Sequence, residues 1–178
     1  MLILVRHGQT ATNAAGRLLG RSDPPLTELG ERQAAAVAAA IGPVDRVISS
    51  PLARAGQTAA YFDRPVDVDE RWLEIDYGTL ENTPLGDVDP EWWRRWRADP
   101  TIAPPGGESL ADVGSRVRAA CESLVAEATA RDVVVVSHVS PIKAAVVWAL
   151  GGDDAMVWRM YLDVAAISRI AIRDHGPV

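Results

Sequence analysis

Cysteine is almost absent from the sequence, since Cys121 is the only one among 178 residues. A single cysteine excludes an intrachain disulfide and any zinc site built on paired cysteines. We expect Cys121 to be a small buried hydrophobic residue on a helix. The sequence also lacks a glycine-rich phosphate loop with its lysine and the carboxylate cluster of two-metal sites. We therefore predict that the protein needs no metal and no cofactor.

Long apolar runs are missing as well. The apolar stretch at the start covers only residues 1–5, with no basic region before it, so the sequence predicts neither a secretory signal peptide nor a membrane span. Positive charge is not in excess, because the formal net charge is -6 and the isoelectric point is about 5.0. General binding to nucleic acid or to anionic membranes favours basic surfaces. We expect a cytoplasmic protein without nucleic-acid or membrane partners.

The residues that are present alternate between strand and helix patterns. Apolar runs predict strands at 1–5, 45–50, 65–69 and 132–138, and a weakly alternating edge strand at 166–172. Amphipathic patterns predict helices at 27–41, 51–62, 108–130 and 140–150. We expect Thr27 and Ser50 to be the N-caps of the first two helices. This order predicts a three-layer α/β/α sandwich with a mostly parallel sheet, formed by one domain over residues 1–178.

Residues 72–107 interrupt this alternation. The segment is rich in Pro, Gly, Asp and Trp and contains one short helical pattern, "EWWRRW". We interpret it as a small insertion over the carboxyl edge of the sheet, where it would form part of any pocket at that edge.

Three strand-to-helix junctions carry cationic or imidazole side chains. Arg6 and His7 follow the first strand, Arg54 lies in the turn after the second, and His138 follows "VVVVS". Because the carboxyl ends of parallel strands meet at one edge of the sheet, where ligands bind, we expect these side chains to lie close together. Helix N-termini at that edge favour anions, and an arginine beside them is unfavourable unless an anion compensates for it.

Two histidines, two arginines and a carboxylate are the groups that phosphoryl transfer uses. Transition-state charge spreads over three phosphoryl oxygens, so catalysis is mainly positioning and electrostatic stabilisation. Arginine forks match phosphate oxygens, and a neutral imidazole attacks phosphorus to form a covalent intermediate. Neighbouring cations lower the pKa of that imidazole and keep it neutral. A carboxylic acid then protonates the leaving alkoxide.

Six stretches, in this order along the chain, carry a family resemblance: "LVRHGQTATN", "DPPLTELGERQA", "SSPLARAGQTA", "LEIDYGTLE", "GGES" and "VVVVSH". Together they resemble the phosphoglycerate mutase-like branch of the histidine phosphatase superfamily. The resemblance implies that His7 is the nucleophile that becomes phosphorylated. It also implies that Arg6, Arg54 and His138 bind and stabilise the phosphoryl group.

The same resemblance assigns two further residues. Asn13 matches the polar residue that helps to hold the phosphate in the loop after "RHG". Glu74, in "LEIDYG", matches the carboxylate that donates the proton, and its apolar neighbours favour a partly desolvated site that suits an acid.

The sequence departs from the family pattern at two positions. Val139 stands where a glycine usually follows the second histidine, which is expected to change the shape of the substrate pocket. Glu81-Asn82 stands where the family usually has Glu-Gly. The forms "SHVSPIK" and "YLDVAAIS" resemble the acid phosphatase domain that accompanies a ribonuclease H domain in some actinobacterial bifunctional proteins and is similar to α-ribazole phosphatase. The 178 residues contain no ribonuclease H domain.

Hydrolysis of a phosphate monoester is the favoured activity. A mutase must exclude water from its phosphoenzyme, and the insertion at 72–107 is short for that purpose. A phosphoglycerate mutase-type phosphotransferase and a catalytically silent phosphate-binding module remain as alternatives. Arg17 and Arg21 are candidates to bind a second anionic group of the substrate.

Some properties stay open at this stage. The substrate is a small-molecule phosphate monoester, with an α-ribazole phosphate-like ester, a sugar phosphate and a phosphoglycerate-type acid all compatible with the sequence. A homodimer is neither predicted nor excluded. The tryptophans at 91–97 are expected to anchor the insertion to the domain, with substrate contact as the second interpretation.

Overall fold

The computed structural model describes all residues, 1–178. Its helices and strands, in chain order, are β1 (Leu2–Arg6), α1 (Ala11–Ala14), α2 (Glu28–Ile41), β2 (Arg46–Ser49), α3 (Ala53–Ala59), β3 (Val66–Val68), α4 (Pro90–Ala98), α5 (Leu110–Ala130), β4 (Val133–Ser137), α6 (Val139–Ala149), β5 (Ile167–Ile170), β6 (Ile172–Arg173) and β7 (Gly176–Pro177). Three 3₁₀ turns lie at Glu70–Trp72, Gly78–Leu80 and Asp154–Arg159.

The central sheet has five strands in the order β3-β2-β4-β1-β5. The first four strands run parallel, and β5 pairs antiparallel with β1 at one edge. Strand β4 lies in the middle, and its four valines from Val133 to Val136 are completely buried. The predicted α/β fold, with a mostly parallel sheet and helices on both faces, is confirmed.

Successive side chains of the central strands point to opposite faces of the sheet. Leu4 and Val135 pack into the larger core cluster, with α5 and α6. Val5 and Val134 pack into the smaller cluster, with α2 and α3. Because both faces are covered, β1 and β4 read in the sequence as continuous apolar runs rather than as alternating patterns.

Two helices begin with the N-cap residue that local chemistry favours, and a third does not. Thr27 caps α2, because its hydroxyl accepts from the Gly30 amide at 3.1 Å, as predicted. Ser109 forms a capping box at the start of α5. The predicted N-cap Ser50 is wrong: α3 begins at Ala53, and the Ser50 hydroxyl lies 2.7 Å from His138 Nε2 instead. A tertiary partner therefore takes the side chain that local capping would use.

The segment 72–107 contains one 3₁₀ turn and helix α4. Asp89 caps α4, Pro90 occupies its first turn, and Trp96 is its buried residue. On α5, Cys121 is free and buried as expected, and burial raises the pKa of its thiol to about 12. None of the helices combines the length and the apolar character needed to cross a lipid bilayer.

Leu4→Ala should test the packing of β1, which ends at the candidate site. Leu4 is fully buried, so the cavity left by the truncation is expected to lower the free energy of unfolding by about 2–5 kcal/mol. Urea unfolding with an unchanged m-value measures this loss. Val68→Ala in β3 is the matched control: its side chain is 64% exposed, and a change within about 0.5 kcal/mol is expected. Equal effects of the two substitutions would contradict this description of the core.

Candidate active site

The site lies at the carboxyl edge of the three central parallel strands. His7 directly follows β1, Ser50 follows β2, and His138 follows β4. The strand hydrogen bonding continues one step past the strand ends, because the His7 amide donates to Ser137 O and the Ser50 amide donates to Val136 O, each at 3.0 Å. Neighbouring strands thus bring the His7 and His138 rings to a centroid distance of 5.1 Å.

The hydrogen bonds of His7 define its tautomer. Nδ1 lies 2.7 Å from the carbonyl oxygen of Gly8, which can only accept, so Nδ1 carries the proton. Nε2 then has a free lone pair, which accepts from Nε of Arg54 at 3.2 Å. Burial, followed by the charges of Arg54 and Arg6, holds the pKa of His7 well below its usual value of 6.5. His7 is therefore a neutral imidazole with an unprotonated Nε2.

Arg54 is a fully buried cation held by backbone oxygens. Its Nη1 donates to Ser22 O at 2.7 Å and its Nη2 to Gly20 O at 2.8 Å. The nearest carboxylate in an ion pair is that of Asp23, at 3.8 Å. Burial lowers the pKa of Arg54 from its usual range. A guanidinium in this environment favours the arrival of an anion.

Glu81 fixes the loop that holds Arg54. Its carboxylate accepts hydrogen bonds from the backbone amides of Gly20, Arg21 and Ser22, at distances between 2.9 and 3.3 Å. The following Asn82 has φ of 63°, a left-handed conformation that glycine adopts freely and asparagine tolerates better than most residues. The departure from Glu-Gly to Glu-Asn therefore keeps the backbone shape of this turn. No sequence pattern indicated this role of Glu81.

His138 is completely buried beside His7. Its Nε2 lies 2.7 Å from the hydroxyl of Ser50, and its Nδ1 has no hydrogen-bond partner. Burial, followed by the charges of Arg54 and His7, holds the pKa of His138 well below its usual value. If Ser50 donates to Nε2, the proton of the neutral ring is on Nδ1, where it is free to bind an incoming acceptor.

Glu74 caps the helix that follows His138. Its carboxylate is buried and accepts from the amides of Val139 and Ser140 at 3.0 Å and of Ile75 at 2.9 Å. The first two donors are the free amides at the N-terminus of α6, so the carboxylate replaces the side-chain cap that His138 does not provide. These bonds hold Glu74 at the mouth of the site in one orientation.

Arg6 and Asn13 complete the polar part of the site. Nη1 of Arg6 donates to Leu162 O at 2.7 Å, and its buried Nε has no partner. Burial lowers the pKa of Arg6, and the nearby Glu74 opposes that shift. The side-chain oxygen of Asn13 accepts from the amide and the hydroxyl of Thr10. Its side-chain NH₂ group remains as a donor.

A cavity of about 300 Å³ opens in front of His7. Of the residues predicted to form the site, six line it: Arg6, His7, Asn13, Arg17, Glu74 and Val139. Arg54 and His138 do not line it, because they are completely buried. Arg21 does not line it either; its guanidinium pairs with Glu108 at 3.4 Å. Arg17 is exposed and donates to Asn82 O at 2.8 Å.

Aromatic side chains form one wall of the cavity. Trp93 and Trp96 of α4 stack at 5.6 Å, and Trp158 meets both rings edge-on, at 6.0 and 5.4 Å. Tyr77 lies edge-on to Trp96 at 6.0 Å. Trp93 and Trp96 therefore anchor the insertion to the domain and also line the cavity, whereas Trp92 only packs against the core. Anchoring of the insertion and contact with a substrate are therefore compatible interpretations, because one face of an indole ring can pack against the domain while the other lines the cavity.

Lys143 is a lining residue that sequence reasoning missed. It lies on α6 and is the only lysine in the sequence, which has 17 arginines. Its rarity was the signal that could have singled it out. Burial lowers the pKa of Lys143, and the nearby Glu74 opposes this shift. No group of three or more His, Cys, Asp or Glu side chains is arranged to hold a metal ion.

Comparison with known proteins shows the family of this chain. The family model described as histidine phosphatase superfamily (branch 1) matches residues 2–178. The chain belongs to the histidine phosphatase superfamily.

Individual members of this superfamily are similar over nearly the whole chain. A bifunctional protein of Mycobacterium tuberculosis is 40% identical over 177 residues, which are 94% of this chain and 49% of that protein. The chain thus spans about half the length of that relative. Phosphoserine phosphatase 1 of Hydrogenobacter thermophilus is 35% identical, with 99% of this chain and 89% of that protein covered.

Solved structures of the superfamily superpose closely. The crystal structure of an Entamoeba histolytica phosphoserine phosphatase mutant in complex with phosphoserine has a TM-score of 0.91 and 30% sequence identity. The match covers 99% of this chain and 93% of that one. This likeness confirms the fold.

The low pKa of His7 predicts how stability depends on pH. His7 binds a proton near pH 6.5 in the unfolded chain but not in the folded chain. The contribution of the neutral ring to the free energy of unfolding is therefore fully present above about pH 6.5 and is lost as the pH falls. His7→Gln should remove this contribution. The slope of unfolding free energy against pH, from urea melts between pH 5 and 6.5, should be smaller in the variant by up to about 1.4 kcal/mol per pH unit.

The carboxylates titrate in both proteins and cancel in this comparison. His138→Gln should reduce the slope in the same direction, because burial lowers the pKa of that ring too. Identical slopes for the variant and the unmodified protein would show that folding does not lower the pKa of His7, which would contradict this prediction.

Proposed function

We propose that the protein hydrolyses small phosphate monoesters through a phosphohistidine intermediate on Nε2 of His7. The observation that carries this proposal is the unprotonated Nε2 of a buried imidazole beside two arginines. A nitrogen lone pair is the nucleophile that phosphorus needs, and the adjacent cations favour the approach of a phosphate dianion. Membership of the superfamily and the similarity to named phosphoserine phosphatases support the reaction class.

In the first step, Nε2 of His7 attacks phosphorus and the bond from phosphorus to the leaving oxygen breaks. The new N–P bond uses the lone pair to which Nε of Arg54 donates, so Arg54 Nε becomes free to donate to a phosphoryl oxygen. Arg6 and His138 Nδ1 each have a buried nitrogen without a partner, and these supply further donors. Donors already fixed in place stabilise the charge that develops on the phosphoryl group.

In this proposal Glu74 is the proton donor of the first step and the proton acceptor of the second. Its protonated carboxyl gives a proton to the leaving oxygen, which departs as an alcohol. In the second step the resulting carboxylate takes a proton from water, whose oxygen attacks phosphorus while the bond to His7 Nε2 breaks. Inorganic phosphate leaves, and both residues return to their starting states.

Access of water favours hydrolysis over transfer to a second alcohol. The cavity is lined in part by Tyr161, which is 87% exposed, and by Leu85, which is 49% exposed. The short segment 72–107 contributes Leu85 as well as Trp93 and Trp96 of α4 to this lining, so part of the insertion is itself open to solvent. Water therefore reaches the phosphoenzyme, a condition that a mutase has to prevent.

His7→Ala tests the nucleophile. With p-nitrophenyl phosphate, the variant is expected to lose activity by about 10³-fold or more, because no other side chain offers an equivalent lone pair. The unmodified protein, mixed with ³²P-labelled substrate and quenched in base, should carry label that is stable to base and labile to acid, and the variant should carry none. Unchanged activity in the variant would contradict the phosphohistidine mechanism. Absence of activity in the unmodified protein would favour the silent-module alternative. Robust isomerisation of 3-phosphoglycerate by the unmodified protein would favour a mutase.

Glu74→Gln tests the proton donor. An alkyl phosphate has a basic leaving oxygen that must be protonated, so its kcat/KM, which reports phosphoenzyme formation and not the later hydrolysis, should fall by about 10²- to 10⁴-fold. With p-nitrophenyl phosphate, a good leaving group that needs little protonation, the fall should be much smaller. Glu91→Gln, at an exposed glutamate of α4, is the matched control and should behave like the unmodified protein. Equal losses on both substrates, without loss of thermal stability, would contradict a proton-donor role.

A further inference from the structure

Lys143 is the cation of the cavity that no group of the protein neutralises. It makes no ion pair within 4 Å and no hydrogen bond, although its side chain is half-buried. The backbone amides at the start of α6 do have a partner, because Glu74 accepts hydrogen bonds from those of Val139 and Ser140. All three ammonium donors of Lys143 are thus free to bind a ligand.

The other charges of the cavity do not explain Lys143. The lining contains three cations and one carboxylate, which are Arg6, Arg17, Lys143 and Glu74. Arg6 and Arg17 each donate to a backbone carbonyl, and the carboxylate of Glu74 accepts three backbone amides. A half-buried ammonium that has no hydrogen bond and no ion pair costs free energy unless a bound anion becomes its partner.

The helix geometry separates Lys143 from the phosphoryl site. Lys143 follows His138, the N-cap of α6, by five residues, which places its Cα about 7.5 Å along the helix from His138. Helical side chains lean toward the N-terminus, so the long lysine side chain extends back along the cavity wall. Arg6 and Arg54 are among the charges that lower the pKa values of His7 and His138, whereas Lys143 is not. The group that Lys143 meets is therefore assigned to the alcohol part of a bound ester rather than to its reacting phosphoryl group.

We propose that Lys143 determines specificity by binding a carboxylate on the alcohol part of the substrate, beside the apolar body that faces the tryptophan wall. In the proposed function the phosphoryl group already has the donors of Arg6, Arg54 and His138, so the remaining ammonium is assigned to a second anion, and its one compact charge matches one carboxylate. This inference rests on the proposed function. It also replaces Arg21, which pairs with Glu108 outside the cavity lining, as the binder of a second anionic group.

A matched pair of substrates tests this specificity. 4-Carboxyphenyl phosphate and 4-carbamoylphenyl phosphate have the same shape and differ in one negative charge. The unmodified protein should prefer the carboxylate in kcat/KM by about tenfold or more, as expected for a charge-assisted hydrogen bond. Lys143→Met should abolish this preference, mainly through KM, and Lys143→Arg should restore part of it. Arg94→Met, at an exposed arginine of α4, should keep the full preference.

A binding experiment gives a readout independent of turnover. Reductive ¹³C-methylation keeps the charge of the amine, and Lys143 is the only lysine, so Lys143→Met assigns its NMR signal. 4-(Phosphonomethyl)benzoate, which is not hydrolysed, should shift this signal, and its carboxamide counterpart should shift it much less.

The outcomes separate this inference from the proposed function. If Lys143→Met lowers kcat/KM equally for both esters, Lys143 acts on the phosphoryl group and the specificity proposal is overturned. If neither ester responds to the substitution, it is also overturned. If the unmodified protein hydrolyses neither ester, the proposed function fails, while the NMR comparison still decides whether Lys143 binds the carboxylate.

Discussion

The buried guanidinium of Arg54 is the constraint around which the site is built. No carboxylate lies within hydrogen-bond distance of this guanidinium. Its N–H groups therefore donate to the backbone carbonyls of Gly20 and Ser22 and to Nε2 of His7. This arrangement requires the loop after α1, the start of α3 and the end of β1 to meet at one point. Burial and then the charge of Arg54 keep His7 neutral, because a second cation beside this guanidinium is unfavourable. The proposed nucleophile and its electrostatic environment therefore share one contact.

Two glutamates hold this arrangement from outside through backbone amides. Glu81 fixes the loop whose carbonyls bind Arg54, and Glu74 caps α6 directly after His138. Each carboxylate accepts three amides, which positions it more firmly than a single side-chain contact. Glu74 lines the cavity and Glu81 does not. The same kind of amide binding therefore positions a proposed proton donor in one case and fixes a loop in the other.

Sequence reasoning succeeded where local chemistry and periodicity act alone. The continuous apolar runs placed β1 and β4, and the threonine before α2 was recognised as its cap. It failed at Ser50, which is a good local cap but bonds to His138 across 88 residues. It also missed Lys143 and Glu81, because their partners are a cavity wall and a distant loop that no sequence spacing defines.

The order of motifs along the chain by itself determined the superfamily, the fold and the candidates His7, Arg6, Arg54, His138 and Glu74, since strands that end in such residues meet at one edge of a parallel sheet. The tertiary structure decided the rest. It fixed which nitrogen of His7 is unprotonated, which cations face the cavity and which are paired elsewhere, and where the tryptophans lie. These properties depend on distances between groups far apart in sequence, and only packing sets those distances.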